Sequence, residues 1–286
     1  MTTKMIVACI DGSELGDAVV DHAIWLANSS QSPLQFLHTI EHSHQSEHIN
    51  REGNLTPNMK EHLLDELSDE ERLESKKLIA EGKTILDAAK QKAQQAGLTN
   101  ITAKQRHGSL PEALVDIESD ASLVILGAKG ENHQGDKQGL GSQLEESIRA
   151  IHTPVFIVKR DFSQPKKMLF AYNGSPTSSK ALKLLAEGQL CSPSLDVHVV
   201  AVKANIDDAK KLIDEASIVL SKSKLNVSTR ALQGEVIEQL TAYQQENDID
   251  ITCMGAFSHG KVHGFFFGSF TTRMLLESST SFLLIR

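Results

Sequence analysis

The chain has 286 residues, of which 40% are apolar and 23% charged, with a formal net charge of −8. At one domain per roughly 100–200 residues, this length suits two domains, each able to bury a core. No apolar run approaches the roughly 20 residues of a membrane span. The negative balance argues against a broad nucleic-acid surface, which needs clustered Lys and Arg.

The first residues, Met1–Lys4, lead into only six apolar positions before Asp11. That is too short for the apolar core of a signal peptide, so no export is expected. Cys9, Cys191 and Cys253 are far apart and odd in number. They form no disulfide framework and no zinc spacing, and they fit a reducing, cytoplasmic setting.

Strand-length apolar runs are predicted at 4–10, 33–40, 101–106, 123–127 and 154–158, with helical patterns near 14–29, 68–97, 110–118 and 142–151 between them. The order then repeats. Strands are predicted at 167–172, 195–203, 226–231, 250–254 and 281–285, and helices near 176–190, 206–222, 234–246 and 270–278. Alternating strands and helices imply parallel pairing through right-handed crossovers. The continuous run Leu123–Leu126 suits a strand covered on both faces. In the helix near 68–97, Leu78, Ile85 and Ala89 are placed on one core-facing side. The expected fold is therefore α/β, with two repeated, doubly wound, five-stranded parallel sheets. Ligands bind such sheets at the carboxyl ends of the strands, where the winding reverses.

The repeat is visible in particular residues. Met5–Ile10 ends in Asp11-Gly12-Ser13, and Met168–Tyr172 ends in Asn173-Gly174-Ser175. The copies are offset by 162 from Asp11 to Asn173, 128 from Gly127 to Gly255 and 127 from Gly141 to Gly268. The first half thus carries about 34 extra residues ahead of its fourth strand. They are placed in 41–74, which holds ten Asp/Glu against three Lys/Arg and reads as an exposed insertion. The polar stretch 159–167 reads as the hinge, giving domains at 1–160 and 166–286.

The strongest local signal follows the fourth strand of each half. The first half reads Gly127-Ala128-Lys129-Gly130, ten residues, then Gly141-Ser142 at a helix start. The second reads Gly255-Ala256-Phe257-Ser258, nine residues, then Gly268-Ser269. Glycine after a strand admits close backbone approach, and a helix start presents free N–H groups to an anion. The pattern suits a diphosphate or triphosphate. It is neither a Walker loop nor the dinucleotide fingerprint. The plain alternative is that Gly127 and Gly255 are turn residues and Ser142 and Ser269 are helix caps. Asp11 likewise reads as a ligand contact or as a cap of the next helix. Asn173-Gly174-Ser175-Pro176 reads as a cap with proline in the first turn.

These motifs resemble the universal stress protein family, in two copies that span the whole chain. The family pattern is Gly-x-x-Gly, nine residues, Gly-[Ser/Thr], with an Asp closing the first strand. The resemblance implies a Rossmann-like fold of the adenine nucleotide alpha hydrolase type and a stress-response role. It also implies an adenine nucleotide, ATP or AMP, with or without magnesium. Carried over, Asp11 faces the nucleoside through ribose hydroxyls or a metal, Thr39 offers backbone groups to adenine, Gly127 packs on the sugar, and Gly130, Gly141 and Ser142 donate to phosphates. The first loop departs from the pattern in length and carries Glu131 and Asp136. The second half offers Asn173, Gly255, Ser258, Gly268 and Ser269, but Asn173 replaces the Asp and Ser258 a glycine. The first crevice ranks above the second.

The resemblance further implies a pseudo-dimer of the two halves through Pro154–Val158 and Ser281–Ile285, with a homodimer of chains left open. A regulatory protein partner is implied without being identified. Two other readings stand: an interaction module without nucleotide, and a slow ATPase, for which no base near a terminal phosphate is evident. No catalytic residue and no metal is assigned. His42, His44 and His48 read as part of a solvated acidic loop, and Ser109-Leu110-Pro111-Glu112 reads as a capping box. Phe265, Phe266 and Phe267 read as an exposed contact patch or, in the plain alternative, as at least one ring beneath its loop with another partly exposed.

Overall fold

The computed structural model describes residues 4–40, 57–128, 142–188, 194–256 and 269–286. Its first half contains β1 (Met5–Cys9), α1 (Gly16–Ser30), β2 (Leu34–Ile40), α2 (Pro57–Gln95), β3 (Ile101–His107), α3 (Leu110–Ile117), β4 (Ala121–Gly127), α4 (Ser142–Ala150) and β5 (Val155–Val158). Its second half contains β6 (Lys167–Ala171), α5 (Pro176–Ala186), β7 (Asp196–Lys203), α6 (Ile206–Leu220), β8 (Asn226–Gln233), α7 (Val236–Glu246), β9 (Ile251–Gly255), α8 (Ser269–Glu277) and β10 (Ser281–Ile285).

The strands form one ten-stranded sheet in the order β3-β2-β1-β4-β5-β10-β9-β6-β7-β8. Within each half every pairing is parallel. The halves meet where β5 and β10 run antiparallel, with Phe282 opposite Ile157 and Leu284 opposite Val155. The two expected five-stranded blocks are thus fused edge to edge, and two open edges of the sheet are closed by each other.

The strands are apolar on both faces because both faces are covered. Ile6, Ala8, Phe36, Phe156 and Phe170 pack under α1, α2, α5 and α6. Val7, Leu37, Val124, Ile157 and Phe282 pack under α3, α4, α7 and α8. At about 25 cal/mol per Å² of apolar surface, each fully buried Phe or Leu contributes about 2–3 kcal/mol of transfer free energy. That explains the unbroken apolar runs better than alternation does.

One expectation about α2 needs correction. The helix begins at Pro57, so the second part of the acidic 41–74 segment is helix rather than loop. Residues 58–81 contain no Gly or Pro and are rich in Glu, Lys and Leu, the strong helix formers. The core-facing stripe is Gly82, Leu86, Ala89 and Ala93, spaced i, i+4, i+7 and i+11. Ile85 and Leu78 lie half-buried at its margin. Gly82 lies against the His38 and Gln105 side chains, where a Cβ would collide, so glycine lets α2 lie close on β2 and β3.

Candidate functional site

In both halves the strand order reverses between the first and fourth strands, β1/β4 and β6/β9. The register puts Ala8 beside Ile125 and Ala171 beside Met254. The carboxyl ends carrying Asp11 and Gly127 therefore lie on neighbouring strands. The same holds for Asn173 and Gly255. Each half has one such crevice, the position where open α/β sheets take ligands.

The Asp11 alternatives separate. The residue ahead of α1 is Leu15, whose side chain makes no capping hydrogen bond. Asp11 is half-buried, and its Oδ1 accepts the Ser13 amide at 3.1 Å, which closes a turn just after β1. The Gly16 amide donates to Ser13 O at 2.9 Å, and a Cβ on Gly16 would lie 2.7 Å from Asp11 O. Asp11 thus shapes the loop at the crevice mouth rather than the first turn of α1.

The second half uses the equivalent residues differently. Ser175 is the cap of α5, accepting the Ser178 amide, with Pro176 in the first turn as expected. Asn173 Oδ1 accepts both the Ser175 amide at 3.0 Å and the Ser178 hydroxyl at 2.8 Å. Gly174 stands at φ +78°, in the left-handed region where glycine carries no penalty. A Cβ on Gly255 would be 3.3 Å from Thr177 Cγ2, so this glycine lets the first turn of α5 approach β9.

Thr39 is half-buried near the end of β2 and pairs with Arg106 on β3. The β1/β2 and β6/β7 registers make Val202 its counterpart and Lys203 the counterpart of Ile40. Ser142 and Ser269 begin α4 and α8, where the helix-start reading placed them. Gly130, Gly141, Ser258 and Gly268 lie outside the described residues. So do Lys129, Glu131, Asp136, the three loop histidines, Cys191 and Phe265–Phe267.

Sequence reasoning missed several residues around the crevices. His38 Nδ1 is 2.9 Å from Ile10 O at the end of β1. Lys203 Nζ donates to Asn173 O at 3.4 Å, bringing a cation to the second crevice where the first has Ile40. Extending the repeat pairing across β2 and β7 exposes that exchange. Lys159 and Arg286, each directly after the last strand of its half, were also missed. Their offset of 127 equals that of Gly141 and Gly268 and marks them as equivalents.

Burial, helped by the Asp11 carboxylate, pushes the Cys9 thiol far above its ordinary range, so it stays a neutral thiol. Ser109 caps α3 by accepting the Glu112 amide, as the capping-box reading expects, and Asp116 pairs with Arg106. Among the described residues, no cluster of three or more His, Cys, Asp or Glu is arranged to hold a metal ion.

A duplicated, doubly wound sheet with a crevice at each reversal defines a tandem α/β protein of Rossmann-like topology. Comparison with known families matches the universal stress protein family over residues 2–159 and again over 165–286, and the chain belongs to that family. A universal stress protein of Synechocystis sp. is 31% identical over 287 residues, covering 99% of this chain and all of the relative. A universal stress protein of Bacillus subtilis is 31% identical over 168 residues, covering 56% of this chain and all of the relative. Among solved structures, a universal stress protein from Archaeoglobus fulgidus superposes with TM-score 0.70 at 18% identity, covering 100% of this chain and 99% of its own. At that identity the superposition supports the fold alone.

Proposed function

We propose that this stress protein binds an adenine nucleotide, ATP or AMP, and acts as a sensor or regulator in the cytoplasm. The observation that carries the reading is the placement of Asp11 and Gly127 on the carboxyl ends of adjacent strands at the reversal point. Family membership supports it. Asp11 would face the nucleoside, Thr39 would offer backbone groups to the base, and Gly127 would let the sugar approach. Gly130, Gly141 and Ser142 would receive the phosphates at the start of α4, where the helix dipole favours negative charge. Magnesium is the divalent ion that would accompany a triphosphate, and Asp11 is the carboxylate beside the first crevice that could meet it.

The second crevice reads as the weaker one. Asn173 carries no charge, and its Oδ1 already accepts two hydrogen bonds, so it has little to offer a ribose. Gly255, Ser258, Gly268 and Ser269 remain its candidate contacts. That same engagement of Asn173 favours a second reading, in which this half serves as an interaction module for a regulatory partner. The proposed domains are 1–160 and 166–286, packed as an intramolecular pseudo-dimer.

Native mass spectrometry of freshly purified protein tests the reading. One co-purified adenine nucleotide per chain is expected, and two if the second crevice is also filled. Bare protein that stays bare after incubation with millimolar ATP and magnesium contradicts it. Phosphate release above background, abolished by Gly127→Val, would move the reading to a slow ATPase.

A further inference from the structure

Lys159 and Arg286 exchange places between the halves. Gly127 of the first crevice pairs with Val158 on β5, and the next residue is Lys159. Gly255 of the second crevice pairs with Ile285 on β10, and the next residue is Arg286. The amides of Ala128 and Ala256 donate to Val158 O and Ile285 O, both at 2.8 Å, so the equivalence holds bond for bond.

Each cation then crosses to the other half. Lys159 Nζ donates to Leu275 O and Ser278 O at the end of α8, and lies 5.9 Å from the ring centroid of Phe282. Arg286 donates to Ile151 O and, at 3.4 Å, to Arg149 O at the end of α4. The last carbonyls of a helix lack partners within it and carry the negative end of its dipole, so a cation there stabilises the helix. The helices held in this way are α4 and α8, whose opposite ends face the proposed phosphate positions.

We infer that these crossed cations couple the two crevices, so that ligand in one alters the helix and the affinity of the other. The route is continuous. From the start of α4 it runs through the helix to Ile151 O, across to Arg286, and along one residue to Ile285, which pairs with Gly255. The mirror route runs from α8 through Lys159 and Val158 to Gly127. A ligand that draws one helix toward its crevice changes the fit of that helix's carbonyls to the crossing cation. The cation belongs to the strand that borders the other crevice. By linkage, the effect is reciprocal.

The inference rests on the nucleotide reading, and one experiment separates the two. Hydrogen exchange in α4 (142–150) and α8 (269–277) is followed in the full chain as the non-hydrolysable analogue AMP-PNP is titrated with magnesium. Asp11→Asn weakens the first crevice while keeping the acceptor for the Ser13 amide. With coupling, the concentration midpoint read at α8 moves along with that read at α4, by roughly five-fold or more. In Lys159→Met/Arg286→Met the α8 midpoint no longer follows, and Arg286→Lys retains the effect because it keeps a cation. An α8 midpoint that stays in place when Asp11→Asn moves the α4 midpoint overturns the coupling and leaves nucleotide binding intact. No response of either helix to AMP-PNP removes the nucleotide reading, and the coupling with it.

Discussion

Arg160 and Asp250 close the connection between the halves: Arg160 Nη2 lies 2.6 Å from Asp250 Oδ1. Asp250 sits just before β9, and its Oδ2 accepts the amides of Lys166 at 2.8 Å and Lys167 at 3.0 Å, where β6 begins. One carboxylate thus fixes both the hinge and the first residue of β6. Burial by itself would raise this carboxyl, but the two amides and the Arg160 guanidinium together outweigh it and hold it below the ordinary aspartate range. Asp250→Ala should cost about 2 kcal/mol, read in a denaturant melt, because charge-assisted bonds are lost and two amides lose their acceptor. The contribution is present above the ordinary carboxyl range and is lost as pH falls through the lowered folded value. Asp250→Asn should therefore flatten the acid limb of the stability curve; an unchanged limb would count against this role.

His22 gives a second pH effect, in a higher window. It is 2% exposed on α1, its Nδ1 lies 2.7 Å from Ala18 O, and its ring meets Phe162 of the hinge edge-on at 5.0 Å. Burial lowers its pKa, with Arg160 adding to the effect against the raising influence of the Ala18 carbonyl and Asp21. The unfolded chain binds the proton more readily, so stability is complete above about pH 6.5 and declines as pH falls toward the lowered folded value. The midpoint of thermal unfolding should drop between pH 6.5 and 5, and drop less in His22→Phe.

A closed polar ring lies beneath the turn from α8 to β10. Gln244 donates to Thr252 Oγ1 at 2.8 Å and accepts from Ser278 Oγ at 2.8 Å, and Thr280 Oγ1 joins both hydroxyls at 2.8 and 3.0 Å. All four residues are buried. Thr252→Val keeps the shape but strands the Gln244 amide, which should cost about 1–3 kcal/mol. A loss below about 0.5 kcal/mol would show that the ring relaxes around the gap.

Gly16→Ala tests the loop that presents Asp11. The new methyl would meet a backbone carbonyl rather than a yielding side chain, so the 11–16 turn must shift. A destabilisation of about 1–3 kcal/mol is expected, with nucleotide affinity reduced beyond what the fold loss explains. Calorimetric titration beside a thermal melt separates the two effects.

Much of this architecture was readable because the duplication states each element twice. Leu123–Leu126 and Ile251–Met254 end in the same Gly-Ala step, and both became strands at the same place in the sheet. The start of α2 was misread because the same polar, acidic composition suits a solvated loop and a solvated helix, and only the absence of Gly and Pro distinguishes them. Asp11 stays open between ligand contact and cap in the sequence because Asp-Gly-Ser signals a turn as strongly as a cap. Lys159 and Arg286 could not be found locally: their partners lie 116 to 137 positions away, and a lone basic residue after a strand carries no pattern. Fusion of the two sheets through β5 and β10 likewise depends on which edges meet in space.

The central claim is tested most directly by isothermal titration of the full chain with ATP and magnesium, beside Gly127→Val, which places a branched side chain where the sugar should lie. A saturable heat with at least one site per chain in the native protein, weakened ten-fold or more in the variant, about 1.4 kcal/mol of binding free energy, is the predicted result. A flat titration at millimolar ATP, or binding that Gly127→Val leaves untouched, would contradict it.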